Sequence, residues 1–249
     1  MAWSYGGLQN SNNGSGSGSL TVALNGTTAG RFIAVGASVF NNTGTITGVA
    51  VSDGTNGAYT QSFFVTRQSG TTRQATSLHY FPNNAGGDLT ITVDPSDAGT
   101  DSYDFTIFAA EFAGGDTTSP ASGTPVTNSA TTGTTASTGT TSPADNDVLV
   151  IAVDGNDTSG TITENAGGEG FTLIAEHESG VSAEPGSWVY RIISGSPGTP
   201  SHSWTVPSGV WAVGIAAFKP AAGAAASVRG PLLGGGGITP NIFSLLRYQ

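Results

Sequence analysis

The chain has no cysteine, a single lysine (Lys219) and unusually little charge of either sign. Without cysteine there are no disulfides and no thiolate metal sites, so burial and hydrogen bonding alone must hold the fold. Seven basic residues against seventeen acidic ones leave a net charge of −10, with no basic stripe of the kind that binds phosphates, which argues against a nucleic-acid partner. Charged residues make up 10% of the chain, against about a quarter in an ordinary soluble domain. No run of 18 apolar residues occurs, so no helical membrane span is expected. The N-terminal stretch MAWSYGGLQNSNNGSGSGS lacks the basic and apolar regions of a secretory leader. The expectation is a soluble product made in the cytoplasm.

Threonine, serine, asparagine and glycine fill the place of the missing charge. Threonine suits strands because it is β-branched, while glycine and asparagine suit tight turns because they tolerate positive φ. Strand-like segments recur at 19–25 (SLTVALN), 31–40 (RFIAVGASVF), 46–52, 59–66, 75–81, 89–93 and 103–112 (YDFTIFAAEF). Turn pairs separate them, among them Asp53-Gly54, Asn56-Gly57 and Gly86-Gly87. Short strands at this spacing predict an all-β sandwich or barrel, and no window has helical periodicity.

The second half repeats features of the first in the same order. Both contain Ile-Ala-Val, at 33–35 and 151–153. TGTIT at 43–47 answers SGTIT at 159–163, and Tyr80 answers Tyr190. ITV at 91–93 answers WTV at 204–206, and the run ending in Phe112 answers the run ending in Phe218. The expected architecture is two tandem, duplicated antiparallel β-sandwich modules of jelly-roll-like type, with extended tails at both ends. The expected boundaries are an N-terminal Gly/Ser-rich arm at 1–18, a module at 19–113, a linker at 114–126, a second module at 127–220 and a tail at 221–249. Residues 127–141 read as one exposed, Thr-rich edge strand.

The tail carries Arg229 and Arg247 and no acid, leaving −12 on residues 1–220. It ends in Ile242, Phe243, Leu245, Leu246 and Tyr248 behind four glycines. These residues together point to docking on a neighbouring subunit, because such an apolar end is sticky when left in water.

Few constellations suggest chemistry. The lone lysine precedes Pro220, which rules out a phosphate loop, and no G-x-S-x-G elbow occurs. His79, His177 and His202 fit no zinc spacing. Asp94, Asp97, Asp101 and Asp104 form an oxygen-rich loop that could hold Ca²⁺, although its spacing is not that of an EF-hand and an Asp-rich turn explains it as well. Residues 52–57 (SDGTNG) read as a hairpin turn. Glu176-His177-Glu178 reads as a solvated strand end, since neighbours on one strand face do not flank a scissile bond. Trp188, Trp204 and Trp211 read as core rather than as sugar-stacking platforms. No catalytic residue and no cofactor are expected.

The module ends EFAGGDTTSP (111–120) and AAFKPA (216–221) resemble those of Gly/Thr/Ser-rich tandem β-sandwich proteins, jelly-roll or lectin-like, of phage virions and bacterial surfaces. The resemblance implies a non-enzymatic virion structural protein: a capsid decoration or cement protein, or a tail-associated fibre or spike protein. Its partners would be copies of itself or other virion proteins. The alternative is a secreted or cell-surface adhesin that binds host-surface glycan.

Overall fold

The computed structural model describes residues 2–96, 102–158, 160–164, 170–177 and 185–222. No helix occurs among them; the chain is all-β. The N-terminal half contains β1 (Ser4–Gly16), β2 (Leu20–Thr27), β3 (Phe32–Asn41), β4 (Gly48–Asp53), β5 (Gly57–Ala58), β6 (Thr60–Ser69), β7 (Thr72–Phe81), β8 (Gly87–Ser96) and β9 (Tyr103–Ala113). The C-terminal half contains β10 (Val126–Ala130), β11 (Thr135–Ser137), β12 (Leu149–Asn156), β13 (Thr163–Glu164), β14 (Thr172–His177), β15 (Gly186–Ile192), β16 (Ser203–Thr205) and β17 (Trp211–Phe218).

In the first half a large sheet, β1-β9-β3-β7-β6, faces a small one, β2-β8-β4-β5. In the second half the large sheet is β10-β17-β12-β15-β14 and the small one β11-β16-β13. The strand orders correspond one to one, apart from the short β5. All pairings are antiparallel, and consecutive strands alternate between sheets in jelly-roll fashion except within the hairpins β4–β5, β6–β7 and β14–β15. The chain crosses sheets at Tyr59, between β5 on β4 and β6 on β7.

Each half encloses its own core, with Val22, Val35, Ile91 and Phe105 in the first and Val150, Ala152, Trp204 and Val213 in the second. A third core lies between the halves, where the two large sheets pack face to face. The molecule is therefore four sheets deep. β3, β9, β12 and β17 are buried on both faces almost throughout, which is why they read as continuous apolar runs. The outer strands β4 and β8 alternate buried and exposed, as half-buried strands do.

Small residues set the spacing of this central seam. A Cβ on Gly214 of β17 would overlap the Phe63 ring of β6, and one on Gly155 of β12 would overlap the Ser38 hydroxyl of β3. Aromatic rings fill one end of the seam. Phe32 lies 4.9 Å from Phe218, and Tyr5 lies 5.3 Å from Tyr190. The other end is polar: Thr76 Oγ1 donates to the Ala212 carbonyl (2.8 Å), and Gln74 Nε2 donates to Ser38 Oγ (2.8 Å).

Three expectations are corrected. The expected arm at 1–18 is, over its described residues 2–18, no free arm: β1 pairs along β9 from Ser4 to Gly16, and Trp3 is buried in the seam. Residues 127–141 are not one strand. β10 and β11 belong to different sheets, because the chain crosses the sandwich between them. The Ile-Ala-Val triplets are not equivalent. Phe112 pairs with Phe32 while Phe218 pairs with Leu149, and Tyr80 pairs with Ala34 while Tyr190 pairs with Ile151. Ile33 therefore corresponds to Val150, one residue earlier than the triplet suggests. On a strand that offset exchanges the two faces: Ile33 and Val150 face their own sandwiches, Ile151 the seam.

Gly214→Val should destabilise the chain by about 1–3 kcal/mol through overpacking. In urea unfolding, the Gly214→Val/Phe63→Ala double variant should be no less stable than Phe63→Ala alone, since both changes act on one contact. Additive losses would show that Gly214 does not set the seam.

Candidate functional site

The aromatic end of the seam gathers the first and last described residues. Trp3 packs edge-on against Phe32 (5.4 Å, 87°), and a Cβ on Gly115 would come within 2.5 Å of its ring. The segment after β9 is pinned to the end of β17. Lys219 N–H donates to the Pro120 carbonyl (2.7 Å), Ser122 N–H to the Ala217 carbonyl (2.9 Å) and Ala221 N–H to the Gly114 carbonyl (2.8 Å). The expected linker is thus bound to the second half rather than free between the two. Two ion pairs flank the junction, Arg31 with Glu111 (3.7 Å) and Lys219 with Asp116 (3.8 Å). An open hollow of about 270 Å³ lies there, lined by Arg31 and by small residues including Ala29, Gly114 and Ala221. β3 and β12 run the same way, because Gly36 faces Val153 while Phe32 and Phe218 share one end. The β6–β7 turn and the exits of β3 and β12 therefore lie at the opposite, polar end.

Near that polar end the second sandwich encloses an acid pair. Asp154 on β12, Ser187 on β15 and Glu176 on β14 lie side by side in register. Asp154 is fully buried, and among the described residues neither carboxylate oxygen has a hydrogen-bond partner within ordinary geometry. Burial lifts its pKa well above the usual carboxylate range; the Glu176 charge adds to the lift and the Gly155 N–H only partly opposes it. Trp204 Nε1 donates to Ser187 Oγ (3.1 Å). In the first half the position equivalent to Asp154 is Ala37, which pairs with Ser77 as Asp154 pairs with Ser187.

Glu176 and His177 are half-buried rather than a solvated strand end; Glu178 lies outside the described residues. The His177 ring stacks on Phe108 across the seam at 5.7 Å. His79 and His202 are buried, and burial depresses each to about 4, so both are neutral at neutral pH. Trp188 and Trp204 are fully buried and Trp211 nearly so, as expected of core residues.

Of the calcium candidates, Asp97 and Asp101 lie outside the described residues. Asp94 is exposed on β8, and Asp104 accepts a hydrogen bond from the Ser15 hydroxyl. Among the described residues no group of three or more His, Cys, Asp or Glu side chains is placed to hold a metal. Asp53 serves its turn. Its carboxylate accepts from the Thr55 and Asn56 N–H groups (2.7 and 2.6 Å), Asn56 Nδ2 (2.9 Å) and the Tyr59 hydroxyl (2.7 Å). Burial pushes the Asp53 pKa up, but hydrogen bonds from Asn56, Tyr59 and Thr55 outweigh burial and hold it low. Arg229, Ile242, Phe243, Leu245, Leu246, Arg247 and Tyr248 all lie outside the described residues.

Sequence reasoning passed over Trp3, whose signal was an aromatic pair, Trp3 and Tyr5, ahead of a polar stretch. It also passed over Asp154, whose signal was an acid directly following the run VLVIAV. Comparison with protein-family models, curated proteins and solved structures finds no match.

Because folding raises the Asp154 pKa, this group favours the folded state fully only below the ordinary carboxylate pKa of about 4, and that contribution is lost as pH climbs toward the folded value. Asp154→Ala should raise stability at pH 7 by about 1–3 kcal/mol and flatten its decline above pH 4. Denaturant melts across pH 4–8 check this; a loss of stability at pH 7 with the slope unchanged would refute it.

Proposed function

We propose that the chain is a non-enzymatic structural protein of a larger assembly, fixed through its termini and presenting its opposite end outward. The virion is the setting its composition and module ends suit best, as a capsid decoration or tail-associated protein. The carrying observation is the shared location of the first and last described residues at the aromatic end of the seam, where Trp3, Gly115 and Ala221 meet. The four-sheet body supports this role, since strands buried on both faces make a stiff spacer.

In this reading the apolar tail docks on a second copy of the chain. Its charge of +2 opposes −12 on residues 1–220, and burying each large side chain contributes about 1.5–3 kcal/mol before ordering costs. A glycan-binding adhesin is the second reading, favoured by the outward set of turns at the polar end.

Truncation after Ala222, which keeps the Ala221 N–H bond to Gly114, distinguishes these readings. The shortened chain should keep its denaturation midpoint while losing the oligomers that the full chain forms in sedimentation velocity. Unchanged oligomers would overturn tail docking. A monomeric full chain that binds immobilised glycans would favour the adhesin.

A further inference from the structure

The seam obeys a two-fold rule. Phe112 and Phe218 occupy equivalent positions, as do Tyr80 and Tyr190. Phe112 meets Tyr190 at 5.4 Å and 66°, and Phe218 meets Tyr80 at 5.3 Å and 67°. Thr106 and Ala212 are equivalent, as are Thr76 and Gly186. A Cβ on Gly186 would sit 3.4 Å from Thr106 Cγ2, and Thr76 Oγ1 donates to the Ala212 carbonyl. Along the middle, equivalent residues face each other directly: Gly36 opposite Val153, and Ser38 opposite Gly155. Residue i meeting j′ while j meets i′ is the signature of an isologous dimer interface.

The two faces have nevertheless become complementary rather than identical. Phe108, Gly36 and Leu78 form one row; Gly214, Val153 and Trp188 form its counterpart. Pairing two first halves would set glycine against glycine and leave a void. Pairing two second halves would set Val153 against Val153, where even a lone Cβ added at Gly36 would lie only 3.2 Å from Val153 Cγ2. Only a first half with a second half fills the seam, with Phe63 occupying the space over Gly214.

We infer that this seam is an internal pseudo-dimer interface whose first-half:second-half pairing also forms between two copies of the chain, which exchange halves. The hinge is in place. Gly114, at φ +97°, and Gly115 separate β9 from a segment already bound to the second half. The partner is a second copy of this chain. The pairing does not depend on the tail, so it stands or falls separately from tail docking.

The absence of cysteine makes the test clean. Gly36→Cys with Val153→Cys places two thiols across the seam at disulfide range. Heavy- and light-isotope preparations of this full-length variant are unfolded together, refolded at increasing concentration and oxidised. Refolding in dilute solution should give disulfides within one chain. With equal amounts of the two preparations, heavy–light disulfide peptides should rise with concentration toward the one-half of all disulfides that random exchange allows, reaching about half of that ceiling near ~1 mM, the effective concentration of halves joined by a short linker. Ser38→Cys with Gly155→Cys reads the same seam should the first pair fail to fold or oxidise. Disulfides confined to single chains at every concentration would overturn the inference, and oligomers without heavy–light disulfides would assign association to the tail alone.

Discussion

The structure depends on one contact, the packing of two large sheets through faces that a lone sandwich would leave in water. That contact turns β3, β9, β12 and β17 into strands with no solvated side, so each must be apolar or small at nearly every position. It also explains where glycine is placed. Sheets pack about 10 Å apart when ordinary side chains interdigitate. Where Phe63 or Ser38 approaches the facing strand, the missing Cβ of Gly214 or Gly155 makes room. Aromatic rings then supply burial at one end, and hydroxyl and amide groups fix register at the other.

Much of this was legible. Strand positions followed from turn residues, and the ordered matches between halves pointed to a common strand plan. The TGTIT and SGTIT strings have a structural reason, since their isoleucines, Ile46 and Ile162, are the buried anchors of the segments following β3 and β12. The tyrosine and phenylalanine matches fell on equivalent positions, whereas the Ile-Ala-Val match missed by one. Aromatic positions in the seam are constrained by shape, while Ile, Ala and Val satisfy either face and can coincide in the wrong register. The continuous apolar runs carried the sign of two-sided burial, but periodicity alone does not say what covers the second face.

Less legible was how polar segments are ordered. β1 has almost no apolar pattern, yet it is a full strand, because backbone pairing to β9 needs no particular side chain. Its asparagines close the open side of the sandwich: Asn10 Nδ2 donates to the Ala23 carbonyl and Asn12 Nδ2 to the Thr21 carbonyl, both on β2. Asn128 does the same in the second half, donating to the Ser137 carbonyl of β11. An amide that satisfies an edge carbonyl reads in sequence as loop composition, so 1–18 looked like an arm. The candidate site was hidden for a similar reason, since whether Asp154 is solvated or entombed depends on β14 and β16, which are distant in sequence.

The two halves are not equally self-sufficient. The outer sheet of the first half has three long strands, β2, β4 and β8, while among the described residues the strands of the second half's outer sheet are two or three residues long. The second half also carries the buried acid that the first replaces with Ala37. A buried carboxylate disfavours the closed sandwich whenever it must ionise. The second half therefore leans harder on the seam, where Trp188, Ile151 and Phe218 draw much of their burial from the first half's rings. A half that is weak alone and complete only against its counterpart has reason to seek that counterpart wherever it is presented, on its own chain or on the next.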